Sequence, residues 1–174
     1  NASLRADASI LIKNHRGQSG LWAYAISGDL PIVLLQIRDP ANIELARQMV
    51  QAHAYWRLKG LVVDLVIWYE DQSGYRQLLQ EQIMGLIASG IDAQAIDRPG
   101  GIFVRLADQI ANEDRILLQS VARAIISDTR GTLAEQVKRP ASPVLRMPPL
   151  MLEGGRELIL APHRAPKREL ILEN

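Results

Sequence analysis

Cysteine is absent from this chain of 174 residues. Disulfide frameworks, thiolate metal sites and cysteine nucleophiles are thereby excluded, and the chain is compatible with a reducing compartment. An excess of one charge is missing too. Lys and Arg number 20 against 19 Asp and Glu, a net charge of +1. No basic run exceeds a pair, so the electrostatic footprint of a nucleic-acid binder is not there. Long apolar runs are also lacking. The longest, Leu61–Tyr69, is broken by Asp64 and is strand-sized, short of the roughly 18 residues that suggest a membrane span. Neither a nucleic-acid partner nor direct membrane insertion is expected. Aromatics are sparse at 5%, with one Phe and three Trp, so each Trp needs a reason. What remains is 48% hydrophobic, enough for a core, and long enough for one domain of roughly 100–200 residues with appendages.

The ends differ from the middle. Asn1-Ala2 has neither an initiator Met nor a signal-peptide pattern, so residues 1–2 read as a tag remnant. From Arg139 the character changes: Pro140, Pro143, Pro148 and Pro149 make a semi-rigid extended connector. Beyond it the pentapeptide Arg-Glu-Leu-Ile-Leu occurs twice, at Arg156–Leu160 and Arg168–Leu172. The chain is expected to be a piece of a longer protein. Residues 3–139 should form an α/β domain, and residues 140–174 a connector with strands leading to a neighbouring β domain. Unpaired strands offer free N–H and C=O groups, so this tail is expected to fray or to self-associate with a second copy.

Between the ends, strand and helix patterns alternate. Ala6–His15 reads as a short helix, and Leu21–Ile26 as either a helical turn or a strand. Leu30–Ile37 is a continuous apolar run, the mark of a strand buried on both faces. Asp39-Pro40 then reads as an N-cap with proline at the first helical position. The helix Pro40–Lys59 places Ile43, Ala46, Val50, Ala54 and Leu58 on one face, and Gly60 ends it as a left-handed C-cap. Leu61–Trp68 is a second buried strand. A helix opening at Ser73 or Gly74 carries Tyr75, Leu78, Leu79, Ile83, Leu86 and Ile87, and Gly90 closes it. Asp92–Ile96 reads as a weaker strand and Ile102–Leu106 as another. Asn112-Glu113-Asp114 caps a helix bearing Leu117 and Val121, whose tail Ala124–Ser127 is open between helix and strand. Thr132–Glu135 is a capping box for a last helix. The pattern specifies a three-layer α/β fold: a mainly parallel sheet of about four strands with helices on both faces.

Chemistry is harder to find. The first strand–helix turn, Ile37-Arg38-Asp39-Pro40, has no glycine to admit a pyrophosphate, and Asp39 would repel one. A Walker-type loop and a Gly-x-Ser-x-Gly elbow are both missing. His15, His53 and His163 share no metal-ligand spacing. Acidic residues do gather where the two strongest strands end: Asp39, Glu70 and Asp71. Such carboxylates at the ligand-binding edge of an α/β sheet form a candidate rim for acid–base work. Equally, Asp39 and Asp71 each precede a helix and suit its positive end. No metal and no cofactor are expected. Trp56 and Trp68 read as packing residues, and an exposed Trp would suit a sugar-stacking platform.

Four segments carry a further signal: GQSGLWAYAISGDLPIVLL at Gly17–Leu35, AHAYWRLKGLVVDLVIWYED at Ala52–Asp71, IDRPGGIFVR at Ile96–Arg105 and GTLAEQ at Gly131–Gln136. In this order they resemble the cyclic β-1,2-glucan synthases. The resemblance implies a very large inner-membrane parent, with a glycosyltransferase using UDP-glucose followed by cytoplasmic modules ending in a glycoside-phosphorylase-like part. The present segment is then similar to a connecting module in the carboxyl-terminal half, on the cytoplasmic side of the membrane, ahead of a β-sandwich. None of the family's catalytic motifs matches a position here, so no catalytic residue is carried over. The expected role is a non-catalytic interdomain module, with neighbouring domains of the same chain, and glucan, as partners. Two rivals remain: a carbohydrate-binding module, and an enzyme domain using the acidic rim.

Overall fold

The computed structural model describes residues 2–70, 76–90 and 93–139. Four of the expected features fall outside them: Asp71, the helix start at residues 73–75, Asp92, and the whole tail from Pro140 with both Arg-Glu-Leu-Ile-Leu copies. The described residues lie within Asn1–Pro143, the first of two units of the chain.

Strands β1 (Ile32–Ile37), β2 (Asp64–Tyr69), β3 (Ile102–Leu106) and β4 (Ala124–Ser127) form a parallel sheet in the order β3-β2-β1-β4. The register pairs Ile32 with Asp64, Val66 with Phe103, and Leu34 with Ile125. Helices α1 (Ala8–Ile12), α2 (Ile43–Leu58), α3 (Arg76–Ala88), α4 (Asn112–Val121) and α5 (Leu133–Lys138) surround it. Because strand side chains alternate, β1 sends Val33, Leu35 and Ile37 into one core with Met49 and Val50 of α2 and Leu79, Ile83 and Ile87 of α3. Its other residues, Ile32 and Leu34, meet Phe103, Leu117, Leu118 and Leu21 in a second core beneath α4. Both faces are buried, which is why these strands read as continuous apolar runs.

The two segments left open resolve clearly. Ala124–Ser127 is β4, and Leu21 to Tyr24 belong to a 3-10 helix, Gln18–Tyr24. At the first turn, Ala2–Leu4 forms a 3-10 helix whose Ser3 hydroxyl donates to the Arg139 carbonyl at 2.9 Å.

Four expectations need correction. The described part of the expected strand Asp92–Ile96, residues 93–96, does not form one: Ala93–Ala95 is a 3-10 helix, and Ile96 makes only an isolated bridge to Ile102. Asp97, with φ 54°, turns the chain away before a ladder can grow. The buried face of α2 is Leu45, Ala46, Met49, Val50 and His53, whereas Leu58 is 72% exposed. Leu58 lies off the face that Leu45, Met49 and Trp56 of the same helix turn towards the core. Leu61 and Val62 precede β2 rather than joining it, and both are exposed. Asn112 is the first residue of α4, not its cap. Ala111 holds the cap position with no side-chain bond, and Glu113 and Asp114 face the positive first turn.

Two backbone positions shape the amino ends of the strands. Gly60 has φ 77° just after α2. At Gly101 a Cβ would collide with the Ala95 carbonyl. Asp64, fully buried, accepts the Gly100 N–H at 2.7 Å and so fixes this turn against β2. Burial raises the Asp64 carboxyl above the ordinary range, although the Gly100 bond pulls it down.

Candidate functional site

The order β3-β2-β1-β4 reverses between β1 and β4, because the chain builds to one side of β1 and then returns to the other. Open α/β sheets bind ligands outside the carboxyl ends of the strands at such a switch point. Here that crevice is bridged by the protein itself. One oxygen of Asp128, immediately after β4, accepts the N–H groups of Arg38 (2.8 Å) and Asp39 (2.9 Å) beyond β1. These are the backbone donors that would otherwise face an incoming anion. The second oxygen, Oδ1, is buried without a hydrogen-bond partner.

The neighbouring groups are engaged in the same way. Asp39 accepts the Ala41 N–H at 2.8 Å as the cap of the 3-10 turn Pro40–Asn42, the geometry its sequence context specified. Glu70 forms an ion pair with Arg38 at 3.1 Å, and its N–H extends the β1–β2 ladder to the Ile37 carbonyl. Thus Glu70 and Asp39 flank adjacent residues of one loop, while Asp71 is outside the described residues. Thr132 and Glu135 complete a reciprocal capping box, with Glu135 N–H to Thr132 Oγ1 at 3.3 Å and Thr132 N–H to Glu135 Oε2 at 2.8 Å. Bonding to the Thr132 backbone N–H holds the Glu135 carboxyl below its usual range.

Between α2 and α5 this edge opens into a cleft of about 350 Å³, lined by Asn42, Glu44, Gln48, Asp128, Thr132 and Glu135 among others. Its polar groups are carboxylates, carboxamides and a hydroxyl. Among the described residues, no three His, Asp or Glu are grouped so as to hold a metal ion. His53 is buried and its Nε2 lies 3.0 Å from the Val63 carbonyl, away from this edge.

Two residues of the edge escaped sequence reasoning. Asp128 becomes visible only once Ala124–Ser127 is taken as a strand. Gln136, on α5, donates from Nε2 to the Ser127 carbonyl at 2.9 Å and accepts the Ser127 N–H at 3.1 Å on Oε1. Its carboxamide acts as a further rung for β4, an outer strand of this sheet. A glutamine inside a capping-box helix gives no sequence signal for that role.

The arrangement defines a doubly wound parallel α/β domain whose carboxyl edge is bridged by its own side chains. No family model matches the chain. It is, however, 33% identical over 157 residues to the cyclic β-(1,2)-glucan synthase NdvB of Rhizobium meliloti (strain 1021), a match that covers 90% of this chain and 6% of that protein. The chain is thus similar to one short segment of that synthase and spans only a small part of its length. Among the described residues, no helix is long and apolar enough to cross a membrane.

Proposed function

We propose that this domain is a non-catalytic interdomain module of a cyclic β-1,2-glucan synthase held at the inner membrane, on its cytoplasmic side. The parent would transfer glucose from UDP-glucose to build a cyclic β-1,2-glucan, with a glycoside-phosphorylase-like part further along. The observation that carries this reading is the state of the carboxyl edge. Among the described residues of that edge, Asp39, Asp128, Glu70 and Glu135 are bonded to the domain's own backbone amides or to Arg38, and Glu44 pairs with Arg47. Groups holding local structure are poorly placed to shuttle protons to a substrate, because protonating them would weaken the charge-assisted bonds they accept.

The opposite edge supports the interdomain part. Leu58, Leu61 and Val62 are 72%, 51% and 49% exposed around the start of β2. Exposed aliphatic side chains this close in sequence suit contact with another protein surface, and a neighbouring domain of the same long chain is the partner that fits. The test is direct. The 174-residue chain should release no product from UDP-glucose, and no glucose 1-phosphate from β-1,2-glucan with phosphate. Product above a heat-killed control from either assay overturns the proposal.

A further inference from the structure

The three Trp residues separate by environment. Trp68 is buried in the core beneath α4, and Trp56 packs partly against the other core. Trp22 is 63% exposed. Unlike the aliphatic surface at Leu58, it is rigidly mounted among polar groups. Leu21 and Ile26, both buried, anchor its 3-10 helix on either side. The indole Nε1–H donates to the Ser27 carbonyl at 3.3 Å. Gln18 donates to that same carbonyl at 2.7 Å and to Asp29 Oδ1 at 2.9 Å. The ring is therefore tethered at its edge while much of its surface stays open. The turn that holds it, through Gly28 and Asp29, continues into a cleft of about 370 Å³ whose other charged residues are Arg5 and Arg123.

A fixed aromatic face beside a carboxylate and a carboxamide has the chemistry of sugar recognition. The C–H face of a pyranose packs on the indole, and its hydroxyls both donate and accept. A protein partner would be better met by aliphatic surface, and Asp29 on the same turn disfavours a phosphate.

We propose that Trp22, with Gln18 and Asp29, is a stacking platform for a neutral glucosyl chain. That the sugar is a β-1,2-glucan rests on the parent reading above; the platform does not.

The test is a titration of the full 174-residue chain with cyclic β-1,2-glucan and, separately, with linear β-1,3- and β-1,4-gluco-oligosaccharides. The Trp22 indole N–H resonance, assigned through Trp22→Phe, reports binding. The expected result is a saturable shift of that resonance with β-1,2-glucan, accompanied by shifts at Gln18 and Asp29. Trp22→Ala should weaken binding at least about tenfold with an unchanged melting temperature, since the side chain is largely exposed. Shifts produced only by the β-1,3 or β-1,4 chains keep the platform and overturn the β-1,2 assignment. No shift with any of the three, or full affinity retained in Trp22→Ala, overturns the platform itself.

Discussion

The two edges of the sheet solve opposite problems. At the carboxyl edge, carboxylates of Asp39, Asp128 and Glu135 satisfy backbone N–H groups at the starts of helical turns. At the amino edge the lock is steric: Gly101 lies against the Ala95 carbonyl, and the buried Asp64 holds Gly100. Near that lock Leu58, Leu61 and Val62 are exposed, and Trp22 is exposed among the polar groups of Gln18, Ser27 and Asp29. Open α/β sheets usually host ligands at the carboxyl edge. Here that edge is taken up by internal bonding, and under the proposed function the opposite one would carry the surface for partners.

Substitutions can break this comparison, beginning with the largest expected effect. Gly101→Ala should destabilise the domain by at least about 3 kcal/mol, because the obstacle is backbone and cannot swing aside. Urea unfolding measures it, and a change within experimental error would show that the steric lock is misplaced. At the other edge, Asp128→Ala strands two backbone N–H groups and should cost about 1–3 kcal/mol. Asp128→Asn, which keeps an acceptor oxygen, should recover much of that loss. Asp39→Ala removes a single cap bond and should cost about 0.5–2 kcal/mol, with Asn again restoring most of it. If Asp39→Ala instead left stability unchanged but abolished a bound sugar or ion, the acidic rim would be a ligand site.

Asp64 gives a pH signature at the amino edge. Its folded-state carboxyl lies above the ordinary value of 3.8. The protonated form is thus favoured by folding, and its contribution is fully present below 3.8 and lost as pH rises through the raised value. Asp64→Asn should remove that slope, so the variant gains on the parent protein between acid and neutral pH; parallel stability curves across that range would count against it. The smallest effect on stability is expected from replacing Leu58, Leu61 and Val62 together by Ser. With little burial to lose, the isolated domain should change by about 0.5 kcal/mol or less, while any concentration-dependent association seen by sedimentation falls.

Much of the fold was legible in advance because its signals are local. The apolar run Leu30–Ile37 and the later part of Leu61–Trp68 marked the buried strands β1 and β2, Asp39-Pro40 and Thr132–Glu135 marked caps, and Gly60 marked a helix stop. Each depends on neighbours within about one helical turn. The misses have a common cause. Leu58 looked like part of an apolar stripe, yet which face of α2 is buried was decided by the sheet, and Leu45, Met49 and His53 face it instead. Ala124–Ser127 is too short for its own pattern to choose between helix and strand. Its pairing with Val33–Gln36 settles that choice.

The candidate site divides along the same line. Residue order alone determined that Asp39 would cap a turn, that no pyrophosphate loop follows the first strand, and that the chain resembles a segment of the glucan synthases. Only the tertiary structure brought Asp128 from 89 residues away to the Asp39 N–H and set Gln136 against Ser127. It alone distinguished the exposed Trp22 from the buried Trp68. A cap is formed by residues that remain neighbours in any conformation, whereas these contacts exist only after the sheet has assembled in one order and register.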